Sequence, residues 1–413
     1  MKKKRNERNY KWIGILLILT LCISVLTGCG AKEEEGGATE PVQGTADGDT
    51  QKQDVQKENN ADSSDPVKVA FIASVTGTNA AIGEEIVYGA QLACKEINAA
   101  GGIGGRELVL EVIDDQLTAS EALNAAKKGI DEMGSQVLLG PDPSSNALAV
   151  LPYAGEKGVP VLVTGTNYKV TSSGYKNVFR FRANDTATAE VVAEFMVKNE
   201  FKNIGLFYTN EDYGLGAYKA VEDSLGKSNI KLSAAETCNI GDTDFTSQIM
   251  NLKNADLDAL IIFAKETEGA KFLAQAYQLG LNCEKYGGSS LASNFVMELC
   301  GEEAVEGVHA IVPYVASNPD AAVQEFVKKY NAEYGIAVPI NHAACYYDVV
   351  HMLGIVLNEY GTTSEEIIEG FRNIDYTGVQ SHYKADENGD MCTKQSISTC
   401  KSGVWEFDGY VGD

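Results

Sequence analysis

Histidine is rare in this 413-residue chain. His309, His342, His351 and His382 have no metal-ligand spacing, so they read as structural, and no metal and no cofactor are expected. No G-x-S-x-G, no G-x-x-x-x-G-K-[ST] and no C-x-x-C occurs, which argues against a nucleophile elbow, a phosphate-cradling P-loop and a redox dithiol. Basic residues are also in short supply. There are 34 Lys and Arg against 58 Asp and Glu, a formal charge of −24, which argues against nucleic acid as a partner because a phosphate backbone is gripped by clustered cations. What is abundant is apolar: 44% hydrophobic residues, too many for wholesale disorder. The length is too great for one ordinary domain and suggests two lobes with extra segments.

The apolar run from Trp12 to Leu26 is short for a membrane span, which needs about 20 residues, and it follows a basic start (Lys2, Lys3, Lys4, Arg5, Arg8, Lys11). That is the pattern of an export signal. It ends Leu26-Thr27-Gly28-Cys29, which resembles the lipobox of bacterial lipoproteins. The resemblance implies a signal peptide over 1–28, cleavage before Cys29, and lipid on Cys29 as an anchor outside the cytoplasm. Residues 30–65 hold three Lys, ten Asp or Glu and no apolar periodicity. Such a stretch buries too little surface to offset its ordering entropy and reads, with Cys29, as a tether over 29–65. Its reach is roughly 30–35 Å.

From Pro66 the pattern changes. Val67–Ala73 reads as a buried strand, and a helix follows from about Gly83 to Ala99, with Ile86, Ala90, Ala93 and Ile97 on one stripe. Strands over 107–113, 136–140 and 159–163 then alternate with helices over 119–132 and 145–155. A second series begins near Asp185, with strands at 204–208, 231–235, 259–263 and 285–287. Helices are predicted over 321–334, 341–360 and 364–372, and the end reads as antiparallel ribbon with turns at 386–390 and 402–403. Alternation of this kind means crossover units and mainly parallel sheets: an α/β protein of two doubly wound lobes.

In such sheets a ligand sits outside the carboxyl ends of the strands. The loops there (74–82, 141–144, 164–168, 209–213, 264–267 and 288–291) are rich in Ser, Thr, Asn, Tyr and Gly. They suit a small polar molecule. Ser144 and Ser145 open a helix whose unpaired N–H groups would seat a carboxylate; Ser144 or Asp142 could equally serve as the helix cap. Thr164-Gly165-Thr166 would add hydroxyl, amide and carbonyl groups beside it. Gly101–Gly105 follows a helix and precedes a strand, so it reads as a turn rather than a phosphate cradle, and Asp114-Asp115 reads as loop hydrogen bonding rather than an acid/base pair.

At these residues the sequence resembles the extracytoplasmic substrate-binding proteins of ABC importers, in the branched-chain amino-acid class. The landmarks are Val75-Thr76-Gly77 with Gly83, Ala90 to Arg106, Asp114-Asp115, Gly140-Pro141 with Ser144, Thr166 to Thr171, and Asp212-Tyr213-Gly214. The resemblance implies a type I periplasmic-binding-protein fold, two Rossmann-like lobes joined by three hinge crossings and closing like a Venus flytrap. Lobe one would be 66–183 plus 315–385, and lobe two 184–314 plus 386–413. It implies a monomeric, non-enzymatic receptor that hands an amino acid to membrane permease subunits and touches the membrane only through its lipid. Residue by residue, Ser144, Thr164 and Thr166 fall where the family holds the ligand's carboxylate and amino group. Tyr213 falls on a closing aromatic and Ile82 on a side-chain pocket position.

Two positions depart from the pattern. The family's acid that pairs with the ligand ammonium falls near Ser290, and an aromatic position falls on Lys265, with Glu266 next to it. Either another acid substitutes or the ligand is an amide, a urea-like compound or an aromatic or other small acid; Lys265 and Glu266 could also be plain loop surface. A sensory receptor is a further alternative, disfavoured because no membrane span or output domain follows Asp413. Seven cysteines follow Cys29, and Cys283 with Cys300 and Cys392 with Cys400 are the pairs to test.

Overall fold

The computed structural model describes residues 65–391 and 394–411. The signal, lipobox and tether readings on residues 1–64 lie outside the described residues, as does Cys392. Among the described residues, no helix is long and apolar enough to cross a membrane.

The chain builds two sheets. The first has five strands, β1 (Val67–Ala73), β2 (Leu108–Asp114), β3 (Leu138–Leu139), β4 (Val161–Val163) and β5 (Val178–Arg180), ordered β2-β1-β3-β4-β5 and all parallel. Strand alternation splits β1 between two cores. Val69, Phe71 and Ala73 face α1 (Ala80–Ala99), while Ala70 and Ile72 face α2 (Ala119–Lys127) and α3 (Ser144–Lys157). The short α4 (Lys169–Ser172) adds Val170 to the second core. Helices on both faces explain why β1 and β4 are apolar almost throughout.

The second sheet orders seven strands as β14-β13-β10-β9-β8-β6-β7. Its parallel part is β6 (Ile204–Thr209), β7 (Ala234–Cys238), β8 (Ala259–Phe263), β9 (Glu284–Gly287) and β10 (His309–Val312). One face packs on α5 (Asp185–Lys198) and α6 (Asp212–Lys227). The other packs on α7 (Thr246–Asn254), α8 (Glu266–Gln278), α9 (Asn294–Cys300) and α10 (Glu302–Val305).

After β10 the chain returns to the first sheet. Helices α11 (Ala321–Tyr334), α12 (Asn341–Glu359) and α13 (Ser364–Asn373), with the hairpin β11 (Asp375–Thr377) and β12 (His382–Lys384), join the core that contains α1. It then crosses once more, and β13 (Ser396–Lys401) and β14 (Val404–Tyr410) close the edge of the second sheet antiparallel. The chain thus passes between the sheets three times, near 181–184, 313–320 and 385–395. The α1–α12 packing is close enough to require a glycine. A Cβ on Gly89 would lie 2.1 Å from the carbonyl oxygen of Ala343.

The predicted elements over 67–73, 259–263 and 321–334 form as read. Others move. The strand expected over 231–235 forms over Ala234–Cys238, because the chain first ends α6 with Asn229 at a φ of 59° and Ile230 N bonded to the carbonyl of Leu225. It is an edge strand with alternating exposure, so its apolar signal is weak. The helix over 119–132 runs as α2 and then widens into a π-helical turn over Lys128–Glu132. Strands β5 and β10, three and four residues long, were not anticipated. Cys283 and Cys300 are both free thiols. Asp114 and Asp115 tie loops together: Asp114 accepts from Val75 N and the Thr76 hydroxyl, and Asp115 from Ser74 Oγ at 2.5 Å and Asn146 Nδ2 at 2.7 Å.

Candidate ligand site

The loops at the carboxyl ends of β3, β4 and β5 meet those of β6, β8, β9 and β10 around one cavity. Ser144, Thr164 and Thr166 line it from the first sheet, and Tyr213, Lys265 and Ser290 from the second. These are six of the seven side chains singled out from the sequence. The seventh, Ile82, is elsewhere. Helix α1 begins at Ala80, which turns Ile82 into the core with Ile86 and Ala90, and it does not line the cavity.

The first-sheet wall is built around the start of α3. Its N-cap is Pro143, which offers no side-chain cap, and Asp142 turns away to accept from Thr164 Oγ1 at 2.5 Å. The first N–H groups of a 14-residue helix therefore have no side-chain cap at the cavity. Ser144 Oγ accepts from Asn167 N at 3.2 Å, which leaves its own hydroxyl proton free to donate. Thr164 is different. Its hydroxyl is engaged by Asp142 and lies 3.2 Å from the Tyr346 hydroxyl.

The second-sheet wall is set by α6. Glu211 caps that helix, accepting from Tyr213 N at 2.9 Å and Gly214 N at 3.1 Å. Position 214 admits only glycine, since a Cβ there would lie 1.9 Å from the carbonyl oxygen of Thr209. This capped turn aims Tyr213 across to Ser290, with 3.1 Å between the two hydroxyls. The Lys265 ammonium lies 5.3 Å from the centre of the Tyr213 ring, a cation–π contact.

Charged groups fill more of this cavity than the loop composition suggested. Arg182, Asp185 and His342 line it as well. Arg182 hydrogen-bonds Ser289 Oγ on the opposite wall and His342 Nε2 at 2.6 Å, and Asp142 lies 4.0 Å from Arg182 and 3.7 Å from His342. Burial opposes ionisation of Asp142, but the Arg182 guanidinium, the Thr164 hydroxyl and the Lys265 ammonium hold its carboxyl below the usual range. Burial also pushes the His342 imidazole down to about 3, so it stays neutral. Burial works against the Lys265 ammonium too, yet Glu211, Glu266 and Asp142 outweigh it and keep its pKa raised. The exposed-loop reading of Lys265 and Glu266 does not hold: Glu266 is 6% exposed and Lys265 is half-buried.

Sequence reasoning missed Arg182 and Asp185 because β5 was not recognised as a strand. The carboxyl-end rule, applied to Val178–Arg180, would have pointed to 181–185. His342 carried no such signal, since it reaches the cavity from the start of α12.

The two walls also touch directly. Asn79 Nδ2 donates to Glu266 Oε2 at 2.8 Å, and the Thr267 hydroxyl donates to Asn79 Oδ1 at 2.8 Å. Ser145 Oγ meets Glu211 Oε2 at 3.1 Å, and Asn341 Nδ2 meets the Ser289 carbonyl at 3.2 Å.

The buried acids give the fold a pH dependence of definite sign. Burial raises the carboxyls of Asp185, Asp348 and Glu85 to about 7, far above their unfolded values. Each adds stability that is fully present below the unfolded pKa and is lost as pH rises through about 7. Burial lowers His309, His342 and His351, which oppose this trend only below about pH 6.5, where unfolded histidine gains its proton. The ligand-free protein is therefore expected to melt at a lower temperature at pH 8 than at pH 6.5. Thermal unfolding across that window checks it, and a rising melting temperature would contradict the assignment.

Comparison with known proteins agrees with this fold. A family model described as periplasmic binding protein matches residues 66–400. The Leu/Ile/Val-binding protein BraC3 of Rhizobium johnstonii is 31% identical over 243 residues, covering 58% of this chain and 66% of its own length. A leucine-, isoleucine-, valine-, threonine- and alanine-binding protein of Pseudomonas aeruginosa is 27% identical over 334 residues, covering 79% and 87%. Among solved structures, the branched-chain amino acid transporter substrate-binding protein LivJ of Streptococcus pneumoniae, in complex with isoleucine, aligns with a TM-score of 0.77. It is 25% identical and covers 83% of this chain and 99% of its own.

Proposed function

We infer, since this chain belongs to the periplasmic binding protein family, that it is an extracytoplasmic solute receptor of an ABC importer and not an enzyme. Its ligand is a small amino acid, with the branched-chain class first among the candidates. One observation carries this reading: Ser144 and Thr166 from one sheet and Tyr213 from the other line a single cavity. The α3 start and the Ser144 and Thr166 hydroxyls would take the carboxylate, and Tyr213 would cover it. The amino acids for which the relatives are named support this ligand class.

The mechanism follows from the three crossings. Lobe one (66–183 plus 315–385) and lobe two (184–314 plus 386–413) would swing about these strands. The bonds from Asn79, Ser145 and Asn341 to the opposite wall belong to a closed form. A ligand that touches both walls binds that form better and shifts the equilibrium toward it. The closed form would then present both lobes together to the permease. Lipid on Cys29 would keep a monomeric receptor beside that permease.

A thermal-shift screen of the twenty amino acids, small amides, urea-like compounds and aromatic acids tests the ligand class. At a hundredfold excess over Kd, a true ligand adds about 2.7 kcal/mol of stability. Leucine, isoleucine or valine is expected to raise the melting temperature. A response confined to an amide or a carboxylic acid would move the ligand to that class and leave the fold untouched.

A further inference from the structure

We propose that a second cavity, beside the middle crossing, binds a small neutral molecule with an apolar body and an amide-like edge, and that its occupancy favours the closed form. The cavity measures about 220 Å³ and shares no lining residue with the interlobe site. A dry protein cavity of about 150 Å³ already takes up benzene, so a compact organic molecule has room here. The coupling to closure rests on the reading of the interlobe cavity as the amino-acid site. The second site itself does not.

Both halves of the molecule wall this cavity. The first-sheet half contributes Val327 of α11 and the 337–341 segment that leads into α12. The second-sheet half contributes 292–294 at the start of α9 and 403–405 at the start of β14, and the crossing over 314–317 runs between them. Val315, Pro339 and Ile340 make the lining apolar, and the exposed Val338 and Val404 face each other's halves at its rim. No charged side chain among the described residues lines it, so an ion would be buried there without a partner and a neutral guest is favoured.

Two open polar atoms define the edge of that guest. Trp405 is 6% exposed and Asn341 2% exposed, yet Trp405 Nε1 and Asn341 Oδ1 meet no hydrogen-bond partner among the described residues. Both residues are held by their other groups. The Trp405 carbonyl accepts from Ser317 Oγ at 2.8 Å, and Asn341 Nδ2 donates to the Ser289 carbonyl at 3.2 Å. A buried donor and a buried acceptor left open each cost stability. An amide supplies the matching pair, its carbonyl for the indole N–H and its N–H for Asn341 Oδ1. These two atoms come from opposite halves, so a guest that bonds both holds the halves at the closed spacing and shifts the equilibrium toward it. The same segments reach both sites: Pro313 and His342 line the interlobe cavity, while their neighbours Tyr314 and Asn341 line this one.

Tryptophan emission of the whole chain tests this, since Trp12 and Trp405 are its two tryptophans. N-Butylacetamide is expected to change the emission saturably, and Trp405→Phe, which keeps Trp12, should remove the change. Butyl acetate, which retains the carbonyl but replaces the N–H by an ether oxygen, should bind about 3- to 10-fold more weakly by calorimetry. Val338→Phe, a larger side chain at an exposed rim position, should abolish the emission response. Saturating L-leucine should tighten N-butylacetamide by about fivefold or more. Displacement of the probe by leucine would place it in the interlobe cavity and overturn the proposal. Equal affinity for the two compounds, a response that survives Val338→Phe, or a probe affinity that bound leucine leaves unchanged would overturn it as well. If leucine itself does not bind, the coupling falls with the amino-acid reading, and the emission titration still decides the second site.

Discussion

Replacing Arg180 with methionine is expected to lower the unfolding free energy by about 3–5 kcal/mol, the cost of removing one partner of a buried ion pair. Arg180 ends β5 and is 0% exposed. Its Nε and Nη2 meet the two carboxylate oxygens of Asp390 at 2.5 and 2.7 Å. Nη1 donates to the Asn167 carbonyl at 2.6 Å and Nη2 to the Thr171 hydroxyl at 2.8 Å. One guanidinium therefore pins the 165–171 loop, which forms a wall of the cavity, to the 386–390 turn, which leads into the last crossing. Methionine fills most of the volume but leaves the Asp390 carboxylate without its cation, held only by the Thr171 hydroxyl and Asn184 Nδ2, each at 3.2 Å. Urea unfolding of Arg180→Met, Asp390→Leu and the double variant measures the pair. The double variant should recover a large part of the loss, because no lone charge is then buried. Single losses below about 1 kcal/mol would show that solvent replaces these bonds and that the loop is held by other contacts.

The second large effect is on binding. Ser144→Ala and Thr166→Ala are each expected to weaken the ligand by about 1.5–3 kcal/mol, roughly 10- to 150-fold, through loss of a bond to a charged group. Ser144 is buried at the first turn of α3, and Thr166 faces the cavity next to it. Neither change removes the open N–H groups of the helix, so binding is weakened rather than abolished. The losses should be less than additive, because the loop that holds Thr166 is itself tied to Ser144 through Asn167 N. Unchanged affinity in both single variants, measured by calorimetry, would place the ligand's carboxylate somewhere other than the start of α3.

Thr164 illustrates how the two levels of description differ. The sequence placed it correctly on the loop after a buried strand, and it lines the cavity. Its hydroxyl nevertheless points at Asp142 and Tyr346, a partner 182 positions away in the chain. Ile82 shows the same difference in reverse. It was placed in a ligand-facing loop, but α1 starts two residues earlier than its number and carries it into the core. Lys265 and Glu266 looked as much like loop surface as like site residues, and their contacts with Tyr213 and Asn79 decided between the two.

What the sequence determined by itself was the alternation of buried strands with amphipathic helices. That pattern is local: a strand covered on both faces must be apolar throughout, and a helix on a sheet must carry one apolar stripe. Two doubly wound halves, and a crevice at the carboxyl ends of their strands, follow from it. Which charges meet in that crevice was decided by tertiary structure alone. Arg182 and Ser289 are 107 residues apart, and Asn79 and Glu266 are 187 apart. A charged residue on a loop has the same local signature whether it faces water or a partner, and only the packing of the two sheets removes the water.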